Sequence, residues 1–130
     1  MAVEEPLDTF VQRVTIAPGQ EDIRVPLEGA YDTFVQRVTI APGSETGWHG
    51  YHGPHVILVV EGVLTVYAAR EASCLPHLYR AGSGLYSPGV DEVRNERNEG
   101  SVPLVFYAGY FLPVGSVAWT DRTRPANCGR

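Results

Sequence analysis

The chain has 130 residues, 44% of them hydrophobic and 19% charged, a balance that suits one globular domain with a real core. Ten basic residues, all arginine, against fifteen acidic ones give a net charge of −5, and no basic stripe runs along any segment, which argues against nucleic acid as a partner. No apolar run is long enough to span a bilayer, and residues 1–6 lack the apolar core of a secretory signal, so a cytoplasmic protein with no membrane partner is expected.

In chain order, the first feature is a duplication. Residues 8–19, Asp-Thr-Phe-Val-Gln-Arg-Val-Thr-Ile-Ala-Pro-Gly, recur without change at 32–43. Perfect identity over such a span reads as a recent local duplication rather than a diverged repeat architecture. The first copy should still act as a strand, paired to a sheet edge or exchanged with a partner subunit. This divides the chain into an N-terminal arm, 1–19, and a body, 20–130.

The body reads as short strands punctuated by Gly and Pro. Phe34, Gln36, Val38 and Ile40 share one face of an alternating run that stops at Pro42-Gly43. Val56 to Val60 and Val63 to Tyr67 are β-branched runs joined across Glu61-Gly62, a hairpin-like turn. Leu85 to Ser87 stops at Pro88-Gly89, the charge-dense run from Asp91 to Glu99 reads as a solvated loop, and Asn98-Glu99-Gly100 forms a turn before a long strand, Val102 to Leu112. No window shows a capped helical period. Many short strands with regular turns predict an all-β barrel or jelly roll, and the need to hide strand edges predicts a homodimer.

Three of the four histidines, His49, His52 and His55, fall within seven positions just before the strand at Val56. Such a turn can furnish a barrel mouth with metal ligands or acid–base groups. His49 has the strongest claim, since alternation points it inward beside Tyr51. His52 and His55 flank Gly53-Pro54 and suit an exposed turn, and His77, beside Pro76, suits solvent. Cys74 and Cys128 are too few and too distant for a zinc motif; either a disulfide or two buried thiols fits them.

The stretch Pro42 to His49, followed by Gly53-Pro54 and the strand to Gly62, resembles the first cupin motif, and Gly82 through Pro88-Gly89 to Asn98-Glu99-Gly100 resembles the second. Cys74-Leu75-Pro76-His77 and Pro125-Ala126-Asn127-Cys128 are similar to the small, single-domain actinobacterial type, and the likeness covers about residues 20–128. The resemblance implies an antiparallel cupin jelly-roll barrel with a site inside its open end and an extra N-terminal strand from the duplication. It also implies a degenerate metal motif. The first ligand slot keeps His49, but the second falls on Tyr51, the glutamate on Val56, the second motif's histidine on Glu92, and a further one on Arg94.

A divalent ion needs three or more converging N or O donors, and a neutral-pH phenol is a poor one. No metal cofactor is therefore expected. The alternative is one Zn, Fe, Ni or Mn ion held by Glu92, His49 and an off-register His52 or His55, as in a dioxygenase or metal-assisted isomerase. The favoured reading is a metal-independent isomerase, cyclase or lyase acting on a small molecule, similar in kind to barrel cyclases of bacterial secondary metabolism, with His49, Tyr51 and Glu92 catalytic. Glu92 serves as base or as the orienter of His49, and Tyr51 as proton donor. Gln36, Trp48, Val56, Tyr86, Arg94 and Tyr107 are expected to contact the substrate. A non-catalytic ligand-binding module is the remaining alternative.

Overall fold

The structure is a computed structural model that describes residues 3–6 and 29–129. Ten strands run in chain order: β1 (Val3–Pro6), β2 (Tyr31–Ile40), β3 (His49–Tyr51), β4 (His55–Glu61), β5 (Val63–Ala68), β6 (His77–Arg80), β7 (Gly84–Ser87), β8 (Val93–Arg97), β9 (Leu104–Pro113) and β10 (Trp119–Asp121). They form two five-stranded antiparallel sheets, ordered β1-β2-β9-β4-β7 and β10-β3-β8-β5-β6, with no helix among the described residues. The first copy of the duplicated segment, and with it most of the proposed arm, lies outside the described residues.

The longest pairing joins β2 to β9, in register from Tyr31↔Pro113 to Ile40↔Leu104. Alternation along both strands turns Val38, Ile40, Leu104, Phe106, Ala108, Tyr110 and Leu112 inward, where they meet Ile57 and Val59 of β4 and Leu64 and Val66 of β5 in one core. Glu61-Gly62 does not make a hairpin. The strands on either side belong to different sheets: β4 pairs with β9 and β7, whereas β5 pairs with β6 and β8. Gly62 has φ +78°, and a Cβ there would lie 2.5 Å from the Pro103 carbonyl oxygen, so glycine lets the chain turn a corner between sheets pressed against the β8–β9 connection.

The Asp91–Glu99 run is likewise not a solvated loop, because it contains β8 with Arg94, Asn95 and Glu96 buried. Opposite charges pairing inside the barrel defeat the usual reading of charge density as exposure. The turn at its end is present. Asn98 donates to the carbonyls of Ile40 (2.9 Å) and Val102 (2.8 Å), tying the end of β2 to the start of β9.

Two glycines close one end of the barrel. A Cβ at Gly53 would lie 2.4 Å from the Phe111 carbonyl oxygen, and one at Gly89, which has φ +82°, would lie 1.9 Å from the Gly53 carbonyl oxygen. The β3–β4 and β7–β8 turns therefore pack backbone on backbone.

Cys74 and Cys128 form a disulfide, Cα–Cα 5.3 Å, resolving the two readings left open by the sequence. It pins the C-terminal tail over the outer side of the second sheet, where both sulfurs share a buried cluster with Trp48 and Tyr67. The Asn127 side chain reinforces the clamp by donating to the carbonyls of Ala69 (2.9 Å) and Glu71 (2.8 Å). Among the described residues no helix is long and apolar enough to cross a membrane.

The bond closes a sequence separation of 54 residues, so loop-closure entropy predicts that it stabilises the fold by about 4 kcal/mol. Reductant, or the Cys74→Ser/Cys128→Ser pair, should lower the melting temperature and shift Trp48 emission to the red. Melting curves and fluorescence that are the same with and without reductant would contradict this.

Candidate functional site

The strands β3 and β8 lie side by side, with His49 opposite Arg94. Alternation sends His49 and Tyr51 of β3, and Arg94 and Glu96 of β8, into the barrel, and all four are buried. They form one network around Glu96. Tyr51 Oη donates to Glu96 Oε1 at 2.5 Å, Arg94 Nη2 donates to the same oxygen at 3.1 Å, and His49 Nε2 lies 2.9 Å from Oε2. His49 Nε2 also lies 2.6 Å from Tyr51 Oη. Thr46, from the turn before β3, donates to Glu96 Oε2 at 3.2 Å.

The tautomer follows from the partners. His49 Nδ1 faces the Gly47 carbonyl at 2.7 Å, which can only accept, so Nδ1 carries a proton. Nε2 faces a carboxylate, so the protonated, cationic ring satisfies both contacts. Burial alone would lower the His49 pKa, but the Glu96 charge and hydrogen bond outweigh burial and leave it raised. Burial would raise the Glu96 pKa, yet His49 and Arg94 hold it well below the ordinary carboxylate range. Burial, with the Glu96 charge adding to it, pushes the Tyr51 phenol well above its ordinary value. The resting site thus holds an imidazolium, a carboxylate, a guanidinium and a neutral phenol.

Glu92 sits just before β8 and is 7% exposed. Its Oε1 meets the Arg70 guanidinium at 3.4 Å and its Oε2 lies 3.9 Å from Arg94, but Oε2 accepts no hydrogen bond among the described residues. Glu92 does not orient His49, as the sequence suggested it could; Glu96 does. Extending the Glu92, Arg94 alternation by two residues would have found Glu96.

His55 is the second departure from expectation. Instead of lying on an exposed turn it is fully buried, with its ring stacked on Tyr51 (centroids 3.8 Å apart) and facing Tyr110 at 6.0 Å. The one hydrogen-bonding group set against the His55 ring is the Gly53 backbone, and Gln36 Oε1 and Arg94 Nε have no hydrogen-bond partner among the described residues. Burial, then the Arg94 charge, lowers the His55 pKa to about 3, so the ring is neutral. Each orphaned buried group costs about 1–3 kcal/mol, a burden that structural packing alone does not explain.

The other residues named from sequence divide by strand face. Gln36 points inward and is buried, beside Val38 on the same face. Trp48 alternates to the outer side and packs with the disulfide. Val56, Tyr86 and Tyr107 stand on the outer face of the first sheet, so a ligand inside the barrel would touch none of them. Strand alternation places all three opposite the buried Ile57, Ser87 and Phe106. His52 turns away from His49 and meets Thr120 at 2.6 Å. His77 begins β6 and pairs with Glu71.

These donors do not fit a divalent ion. His49 Nε2 is committed to Glu96 and Tyr51, His52 points elsewhere, and among the described residues no three His, Cys, Asp or Glu side chains are grouped as a metal would require. A depression of about 420 Å³ is lined by Gly50, Tyr51, His52, Val90, Asp91, Glu92, Val93 and Arg122, and since Gly50 and Val93 alternate with the inward His49 and Arg94, it lies against the outer side of β3 and β8. The Arg122 side chain lies across Gly50, where a Cβ would come 3.1 Å from its Nε.

No protein-family model matches the chain, and no curated protein sequence matches it closely enough to count as a relative. Solved structures do match. A cupin-like protein from Thermotoga maritima has TM-score 0.59 at 19% identity, covering 69% of this chain and 64% of its own. A conserved protein with a double-stranded β-helix domain from Klebsiella pneumoniae has TM-score 0.57 at 20% identity, covering 82% and 84%. An RmlC-like cupin from Methanocaldococcus jannaschii has TM-score 0.56 at 15% identity, covering 68% and 94%. At such identities the likeness defines the architecture: this chain has the cupin jelly-roll fold.

The His55 shift makes stability depend on pH. The unfolded imidazole takes up a proton below about pH 6.5, whereas the folded one resists until about 3. Stability should therefore fall as pH drops through that window, by up to about 1.4 kcal/mol per pH unit for one proton. His49 acts oppositely, contributing stability in full below about pH 6.5 and losing it as pH rises through its raised folded value. Urea unfolding of His55→Phe from pH 7 to pH 4 should lack the one-proton acid slope and should be more stable than the parent at pH 7. An unchanged slope would mean that His55 is not buried as a neutral ring.

Proposed function

We propose that the protein binds a small carbonyl-containing metabolite beside the His49, Tyr51 and Glu96 cluster and acts on it without metal, as an isomerase, cyclase or lyase. The observation that carries this reading is the buried cluster itself, in which the Tyr51 hydroxyl bridges His49 and Glu96 while Arg94 links Glu96 to Glu92, whose Oε2 accepts no hydrogen bond among the described residues.

The roles follow from charge. A phenol with a raised pKa is a poor acid alone. Tyr51 can give its proton to a developing oxyanion when His49, already cationic, returns one from Nε2 in the same motion. Glu96 keeps His49 cationic and in register, a positioning role, and Arg94 fixes Glu96. Glu92 Oε2, tethered by arginines but accepting no hydrogen bond, suits a general base that takes a proton from carbon beside the carbonyl. The neutral His55 and the Gln36 amide add hydrogen-bonding capacity without charge. Among the architectural neighbours, one is named a sugar phosphate isomerase and another a predicted oxalate decarboxylase, so fold alone does not select the chemistry.

A non-catalytic binding module is the second reading. It is favoured by the way His49, Tyr51 and Glu96 satisfy one another, leaving the centre of the network closed. Proton exchange separates the two. Incubated in D₂O with a panel of small oxo-acids and ketones, the protein should speed deuterium incorporation beside the carbonyl of at least one, read by proton NMR. Glu92→Gln and Tyr51→Phe should each slow it by about 10²–10⁴-fold. Exchange that is equal in both variants removes the mechanism, and binding without exchange favours the module.

Protein purified without a nickel column should carry no stoichiometric Zn, Fe, Ni or Mn by elemental analysis, and a chelator should leave its melting unchanged. One tightly held ion per chain would reverse the metal-free reading.

A further inference from the structure

We propose that the depression on the outer side of β3 and β8 is a second binding site, shaped for a zwitterionic amino acid, with Arg122 taking the carboxylate and Asp91 the ammonium. It stands back to back with the buried network and is independent of the reaction proposed there. Gly50 lies between the inward His49 and Tyr51, so its open side faces out of the barrel. A Cβ there would come 3.1 Å from Arg122 Nε, 3.6 Å from Arg122 Nη2 and 3.4 Å from the Glu92 carbonyl oxygen. Glycine thus gives the depression a floor of backbone and lets a guanidinium lie over it.

The charges on the two sides of that floor do not meet. Arg122 directly follows β10, its N–H donating to the Trp48 carbonyl at 2.9 Å. Asp91 belongs to the turn before β8, which the Glu92 N–H closes on the Gly89 carbonyl at 3.2 Å. These two strands flank β3 on opposite sides, so their backbones lie about 10 Å apart. Both side chains are exposed and line the cavity, and among the described residues neither makes a hydrogen bond or an ion pair. Asp91 holds φ 63°, an uncommon conformation that Asp tolerates better than most residues, so the backbone rather than a partner places this carboxylate. Val90 and Val93 add apolar lining, and His52, fixed on Thr120 at 2.6 Å, completes the wall. A bare anion would meet Asp91 and a bare cation would meet Arg122, whereas a ligand carrying both charges satisfies both. The guanidinium fork matches a carboxylate, and about 420 Å³ is room for a small molecule.

Titration of the isotope-labelled full chain, followed by amide NMR, tests the site with glycine, β-alanine, γ-aminobutyrate and L-valine at millimolar concentration. At least one should bind saturably and move the signals of Gly50, Asp91 and Arg122. Its N-acetyl derivative and its methyl ester, each lacking one charge, should bind about tenfold more weakly or worse. Arg122→Gln and Asp91→Asn should each weaken binding of the parent ligand by a similar factor. Both positions are exposed, and Asn tolerates the backbone at 91 as Asp does, so the variants should melt as the parent does. Gly50→Ala, which displaces the guanidinium from the floor, should also weaken binding. The proposal is overturned if none of the four probes binds. It is overturned equally if the N-acetyl derivative or the ester binds as well as the free amino acid, if the shifts lie elsewhere, or if the charge variants bind like the parent.

Discussion

A buried carboxylate organises this protein. Glu96 lies inside an apolar barrel, where an unpaired charge is unsustainable, and it is kept ionised by an imidazolium on one side and a guanidinium on the other. Tyr51 and Thr46 use its remaining lone pairs. Such a cluster contributes little net stability against a well-packed apolar alternative, but removing any one member strands the others without compensation. The same arrangement sets the protonation states around it. His49 stays charged because Glu96 is there, and His55 stays neutral because Arg94 is.

The backbone supplies the rigidity this cluster requires. Gly53 and Gly89 bring two turns into direct contact at the barrel end, Asn98 staples the ends of β2 and β9, and the Cys74–Cys128 bond holds the tail over Trp48, the residue before His49. Each device lies outside the network; the glycine contact and the disulfide brace β3 and β8, and the Asn98 staple follows directly after β8. Gln36 Oε1, Arg94 Nε and Glu92 Oε2, which make no hydrogen bond among the described residues, stand out against this background. Polar groups that cost stability in an otherwise well-paired interior are the mark of a site shaped by something other than folding.

Much of the fold was legible in the residues. Alternation placed Gln36, Val38 and Ile40 on one inward face, Pro-Gly pairs marked strand ends, and the two motifs predicted a jelly roll. Alternation likewise turned His49, Tyr51 and Arg94 inward. The failures have a common physical origin. The run from Asp91 to Glu99 reads as solvated because charge usually seeks water, and only the partners His49 and Tyr51, some 45 residues away in sequence, make its burial possible. His55 reads as a turn residue because Gly53-Pro54 precedes it, and only the crossing of β4 beneath Tyr51 reveals it as interior.

What the sequence determined by itself is therefore local and periodic: which segments are strands and which side chains share a face. What the tertiary structure decided is which faces meet. It sent β4 and β5 into different sheets at Gly62, set Glu96 rather than Glu92 against His49, joined Cys74 to Cys128, and turned Val56, Tyr86 and Tyr107 outward. Strand periodicity is a property of neighbouring residues along the chain, whereas pairing between distant charges depends on the closure of the whole barrel.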